Sequence, residues 1–315
     1  MKRIAKTLLV LMVVPFIREV LGHQQSTPVF RASTDAVTVD VSVLQGSTPV
    51  TDLAATDFRL WDNDVPQTIQ VVSAGAIPLD VTLLLETTSI TAARVGAFNA
   101  RLQAMVQQLR QTDRFRFLTI DDYVDELVPM GSPTAELLPA RAGGSAASVY
   151  DALLLSLMHG SDPGRRHLIV AFTREYDLRS AATASMVIEV ARRSSAVLHI
   201  VEIDHDDLPV GRTVATRFRP DVDGRASLVT AAETTGGAFH ARSIFRDRML
   251  DAFRKIFTEF GRGYVLHYIP TGVQRLGTHS IRVEVPASKN PTIRARKGYV
   301  VDERTPGGEW PGTQR

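Results

Sequence analysis

With 315 residues, 44% of them hydrophobic, and 36 Lys and Arg against 34 Asp and Glu, the chain carries a formal charge of +2 and contains no cysteine. It is long enough to bury a full core and to hold two or more domains. The lack of cysteine excludes disulfides, thiolate metal sites, cysteine nucleophiles and a lipid-modified cysteine anchor.

Lys2, Arg3 and Lys6 precede an apolar run from Leu8 to Ile17. This is the layout of a secretory signal peptide, with a small-residue cut after Gly22 closing a segment 1–22. The run is roughly half of the ~20 residues that cross a bilayer, and Arg18 and Glu19 interrupt it. The expectation is an exported chain, periplasmic or extracellular, without a permanent membrane anchor. Removing the segment leaves 32 basic residues against 33 acidic ones from the original 36 and 34, so nucleic acid is not an expected partner.

Val37, Val39, Val41 and Val43 alternate with Thr38, Asp40 and Ser42, the pattern of a half-buried strand. Turns at Gln45–Pro49 and Asp62-Asn63-Asp64 set off two further short strands, Phe58–Trp61 and Gln67–Val72. Residues 23–77 therefore read as an N-terminal β region, too short to complete a sandwich without strands from elsewhere.

From Leu79 the period changes. A strand over 79–85 leads into Val95, Phe98, Leu102, Met105, Val106 and Leu109, whose spacing puts them on one helical face. Strands follow at 114–120, 124–128, 167–172, 196–203 and 238–240, with helices at 149–159, 182–193, 226–234 and 245–260. Strands alternating with helices over 78–260 imply an α/β fold: a doubly wound, Rossmann-like, mostly parallel sheet. β-patterns return at 264–269, 280–285, 292–296 and 298–301. Residues 261–302 are expected to pack with the N-terminal region as a β-sandwich, and 303–315 to be a disordered tail. Arg165-Arg166 and Arg192-Arg193 read as turn and helix-end charges, and Tyr264, Tyr268 and Tyr299 as packing the β part onto the α/β part.

The segment Pro78–Ile90 carries the strongest functional signal. It runs a buried-type strand into an acidic, hydroxyl-rich turn, and open α/β sheets bind ligands outside the carboxyl ends of such strands.

Six landmarks occur in order: Val37-Thr38-Val39-Asp40-Val41, Val50-Thr51-Asp52-Leu53 with Asp57-Phe58, Val149-Tyr150-Asp151-Ala152-Leu153, Thr235-Gly236-Gly237-Ala238-Phe239, Tyr264-Val265-Leu266-His267-Tyr268 and Arg296-Lys297-Gly298-Tyr299. On these the chain, from about Phe30 to Asp302, resembles the von Willebrand factor A-related proteins of the exported, acidobacterial type. The resemblance implies a metal-ion-dependent adhesion site: an Asp-x-Ser-x-Ser turn, a Thr from a second loop and an Asp from a third, oxygen ligands suited to Mg²⁺ or Mn²⁺. Here that turn reads Glu86-Thr87-Thr88-Ser89-Ile90. Glu86 replaces the Asp with a longer side chain, and Ile90 offers no oxygen. The second position falls on Ser145 or on Ala147, depending on the register. The third is Arg174, a fixed positive charge whose repulsion of a divalent ion costs on the order of several kcal/mol. The site is thus read as degenerate. No metal or other cofactor is expected, an Arg174–Glu86 ion pair is expected to stand in the ion's place, and Glu86, Thr88, Ser89, Ser145 and Arg174 are the candidate ligand-binding residues of the sheet's top face.

Asp204-His205-Asp206-Asp207 and Asp121-Asp122 with Asp125-Glu126 are rich in carboxylates, but both read as solvated loops or hairpin turns rather than acid–base centres. No HExxH, phosphate loop or Gly-x-Ser-x-Gly elbow occurs, so no catalytic residue is assigned. The expected function is a non-enzymatic module that binds a protein or an envelope component. The alternatives are a secreted hydrolase using Asp204–Asp207 and an inert structural module.

Overall fold

Alternating apolar residues build the β part. The computed structural model describes residues 36–88, 95–132, 146–174, 177–203, 224–241, 249–286 and 290–302. The expected signal peptide, Ser89, Ser145, Asp204–Asp207 and the tail from 303 lie outside them. The first strand, β1 (Val37–Gln45), buries Val39, Val41 and Val43. Then come β2 (Thr48–Pro49), β3 (Arg59–Asp62), β4 (Val65–Pro66) and β5 (Ile69–Ser73). After the α/β layer the chain returns as β12 (Tyr264–Tyr268), β13 (Gly277–Glu284), β14 (Thr292–Ala295) and β15 (Gly298–Val301). One sheet runs in the order β14-β1-β12-β5 with β2 on β1; the second runs β15-β13-β3-β4. Strands from both ends of the chain thus share each sheet. Val39, Val41, Val43, Phe58, Leu60, Tyr264, Leu266, Tyr268 and Ile281 form the core between them.

Between β5 and β12 lies a six-stranded sheet. Its strands are β6 (Leu79–Glu86), β7 (Arg114–Ile120), β8 (Val124–Gly131), β9 (Arg166–Thr173), β10 (Val197–Glu202) and β11 (Phe239–His240). The order is β11-β10-β9-β6-β7-β8, parallel except for β8, which returns antiparallel on β7. The helices are α1 (Val95–Val106), α2 (Val149–Leu157), α3 (Ala184–Arg193), α4 (Gly224–Thr235) and α5 (Met249–Gly261). Every residue of β6 and β9 is buried, as strands covered on both faces must be. The odd-numbered side chains of β6 (Leu79, Val81, Leu83, Leu85) pack with Phe98 and Leu102 of α1 and Phe253 and Ile256 of α5. Leu84, with Leu118, Ile169 and Ala171, faces α2, α3 and α4 through Leu153, Val187 and Leu228. The α/β class and the flanking strands from both termini are therefore as the sequence implied.

Described residues all fall in one compact unit, and arginine side chains tie its layers together. Arg166 on β9 pairs with Asp40 on β1, donates to the Phe260 carbonyl (3.0 Å) and lies 3.8 Å over the Phe260 ring. Arg294 of β14 pairs with Glu259 of α5, and Arg296 donates to the Arg192 carbonyl at the end of α3 (2.9 Å). Reading Arg165-Arg166 as turn charges was wrong: Arg166 is 5% exposed, and Arg165 donates to the fully buried Asp80 (2.5 Å). The tyrosines also depart from expectation. Tyr264 and Tyr268 fill the sandwich core instead of the junction, and Asp62, read as a turn residue, is fully buried beneath them. Its carboxylate accepts from Tyr268 and Tyr299 (2.8 Å each) and lies 2.8 Å from His279 Nδ1.

Candidate functional site

Chain direction places the site. After β6 the chain passes to α1 on one face of the sheet, and after β9 it passes to α3 on the other. The loops leaving these adjacent strands diverge, so the switch point of the doubly wound sheet lies at the carboxyl ends of β6 and β9, where such sheets offer a crevice. Glu86 is the last residue of β6, Thr173 is the last residue of β9, and Arg174 follows it directly.

Glu86 is 1% exposed, and a carboxylate at that depth needs donors on all sides. It has them. Oε1 accepts from Thr88 Oγ1 (2.7 Å) and Arg174 Nε (2.6 Å), with Arg174 Nη2 at 2.5 Å. Oε2 accepts from Thr173 Oγ1 (2.8 Å) and the Arg174 backbone N–H (2.7 Å). Arg174 Nη2 also reaches Thr88 Oγ1, and the Arg174 side chain keeps 19% of its surface exposed. Thr87 anchors the turn by donating its N–H to the Ile120 carbonyl (2.9 Å).

The structure thus gathers Glu86, Thr88 and Arg174; Ser89 and Ser145 lie outside the described residues. Ala147, the other register for the second loop, is buried, and its carbonyl accepts from Leu178 N–H (3.0 Å). Thr173, which the sequence reading passed over, contributes a hydroxyl; as a strand-end residue beside Arg174 it could have been found by register. Among the described residues of the site, a guanidinium lies against the one carboxylate, and the hydroxyls of Thr88 and Thr173 are turned onto that same carboxylate.

Beside the pair, at the same end of the sheet, a cleft of about 530 Å³ is lined by Asp122, Tyr123, Val124, Ser148, Asp151, Leu155, Arg179 and Ala181. Tyr123 is 76% exposed. The carboxylates here hold loops. Asp121 Oδ1 accepts from Tyr123 N–H (3.0 Å), Asp122 Oδ1 from Ala146 N–H (3.1 Å), and Asp151 from the N–H groups of Ala181 (3.0 Å) and Ala182 (2.8 Å). Glu126 pairs with Arg116 (2.6 Å).

No protein-family model and no curated protein matches the chain. Among solved structures it is similar to an aerotolerance-related membrane protein from Bacteroides fragilis NCTC 9343 carrying multiple mutations to serines, at 15% identity over 58% of this chain and 99% of that one, TM-score 0.40. It is similar to the manganese-loaded TRAP protein of Plasmodium vivax at 12% identity over 74% and 98%, TM-score 0.41. A von Willebrand factor type A structure from Catenulispora acidiphila aligns at 11% identity over 84% and 76%, TM-score 0.41. The strand order and the switch point between β6 and β9 make the α/β layer a doubly wound, Rossmann-like sheet, the fold class that the sequence implies.

Proposed function

We propose that this is an exported, non-enzymatic interaction module that binds a protein or envelope component, without a metal ion, through the end of the sheet bearing Glu86, Thr88, Ser89, Ser145 and Arg174. One observation carries the reading: at the switch point the chain's own guanidinium occupies the oxygens of Glu86 and Thr88. What remains open beside it is a cleft with an exposed Tyr123 and Arg179, the residue types that anchor protein interfaces. Among the described residues no group of His, Asp or Glu of metal-holding size occurs, and no helix is long and apolar enough to cross a membrane.

Metal independence is tested by thermal unfolding of the full chain with Mg²⁺, Mn²⁺ or a chelator. An ion at a hundred times its dissociation constant would add about 2.7 kcal/mol to stability; the expected result is coincident curves, and a stabilisation that grows with ion concentration would overturn the metal-free reading. For binding, cross-linked partners of the wild type are compared with those of Tyr123→Ala, Arg179→Glu and, as a control on the sandwich, Arg282→Glu. Loss of the same product in the first two alone is expected; equal recovery from all three would remove the top face as the binding surface. Export predicts a mature N-terminus at His23, readable by terminal sequencing.

A further inference from the structure

A helix that packs on a sheet with one side ordinarily carries polar residues on the other. Helix α2 does not. Its sequence, Val-Tyr-Asp-Ala-Leu-Leu-Leu-Ser-Leu, holds one charged residue, Asp151; Ser156 is fully buried, while Leu155 and Met158 are exposed. Three residues apart, these two share a face, and Leu155 lines the cleft together with Tyr123 and Arg179. Leu178, also exposed, is fixed to the start of the same helix. Its N–H donates to the Ala147 carbonyl (3.0 Å), Asp177 beside it accepts from Tyr150 N–H (2.7 Å), and Ser180 Oγ accepts from Asp151 N–H (2.9 Å). Tyr123, Leu155, Met158 and Leu178 are four of the seven large hydrophobic side chains exposed among the described residues, a concentration that marks an interaction surface. Charge of both signs borders it. The Arg179 guanidinium is exposed and its ion pair with Asp122 is long, 3.8 Å, so its N–H donors face outward to an acceptor; Asp122 and Asp151 line the same cleft.

We propose that the outer face of α2 and the adjoining cleft form an interface between two copies of this chain, related by a two-fold axis. This rests on the reading of that end of the sheet as the binding surface and names its partner. A two-fold contact requires one patch to complement itself, with donor, acceptor and apolar groups side by side, and this face holds all three. The Arg179 of each copy meets the Asp122 and Asp151 side of the other, and the exposed leucine and methionine side chains of the two α2 helices close the centre, where homodimer interfaces are most apolar. Charge selects a second copy over a partner of one sign. A uniformly basic partner would set cations against Arg179, and a uniformly acidic one would set anions against the two aspartates. The bonds that clasp residues 177–180 to α2 hold Leu178 and Arg179 in place before association, so little order is lost on docking.

The test is sedimentation equilibrium of the purified protein over a range of concentrations. A dimer with Kd on the order of micromolar is expected. Leu155→Lys puts a cation at the centre of the contact, and Arg179→Glu gives each side three carboxylates; each is expected to leave a monomer at about 100 μM, whereas Arg282→Glu on the sandwich keeps the dimer. The two replaced side chains are exposed, and should either variant fail to fold, Tyr123→Ala takes its place. A wild type that is monomeric at about 100 μM, or a dimer that survives in every folded variant, would overturn the proposal. The cross-linked product separates this proposal from the reading beneath it. A product of twice the chain's mass, lost in Tyr123→Ala and Arg179→Glu, supports both; a product of another mass, lost in the same variants, keeps the top face as the binding surface and removes the second copy.

Discussion

Glu86 receives donors from Thr88, Thr173 and Arg174 while only 1% exposed, and the loss of one partner would leave a buried charge uncompensated. Arg174→Ala is expected to cost about 3 kcal/mol in urea unfolding, whereas Glu86→Leu combined with Arg174→Leu should recover most of it; a single-variant loss below about 1 kcal/mol would mean that the pair behaves as a surface one. Three buried histidines set the acid limit. Burial first, then neighbouring positive or imidazole charge, pushes His240 down to about 4, His167 down to about 3 and His199 well below its ordinary value. The unfolded chain takes up these protons near pH 6.5 and the folded chain does not. Their neutral burial is therefore without penalty above that pH, and stability falls as pH drops from about 6.5 toward 4 and 3, by up to about 1.4 kcal/mol per pH unit for each histidine. Urea midpoints from pH 7.5 to 4 measure this, and equal midpoints at pH 7 and 5 would contradict it. Glu86 and Arg174 could be singled out from sequence because strand ends are ordered along the chain. Asp62 and the His199–His240 contact (2.9 Å) could not, because their partners lie on strands whose register no local pattern reveals.

Elements of ordinary length were legible because two periods differ: the every-other-residue valines of β1 and the three-and-four spacing of Phe98, Leu102, Met105 and Val106 on α1. The two-residue strands β2 and β4 escaped because they are too short to show a period. Helix α3 is capped by Thr183, whose side chain accepts from Met186 N–H (3.3 Å); Thr183→Ala is expected to lower stability by about 1 kcal/mol, read as a shift in the urea midpoint. The junction from α4 to β11 is stricter. Gly236 adopts φ of 90°, and a Cβ on Gly237 would run into the Leu198 carbonyl on β10. This backbone approach gives the Gly-Gly landmark its physical cause. Gly237→Ala is expected to cost more than about 2 kcal/mol, and a neutral effect in the same assay would show that β10 can retreat.

At the scale of the molecule, the sandwich and the α/β layer share polar ties through Arg166, Arg294 and Arg296. Unfolding is therefore expected to be one transition. With Trp310→Phe, Trp61 fluorescence reports the sandwich and far-ultraviolet dichroism the helices, and the two curves should coincide; separate midpoints would mean that these ties are weak. The pairing of strands from both chain ends carries a further consequence. Ser73, the last residue of β5, is paired directly with Tyr264, the first of β12, so the polypeptide leaves the sandwich and re-enters it at the same rung of neighbouring antiparallel strands. Replacing the intervening residues by a short turn would make β5 and β12 an ordinary hairpin. The sandwich is thus a socket with its two leads side by side, into which a different recognition cassette could be spliced without re-routing any other strand.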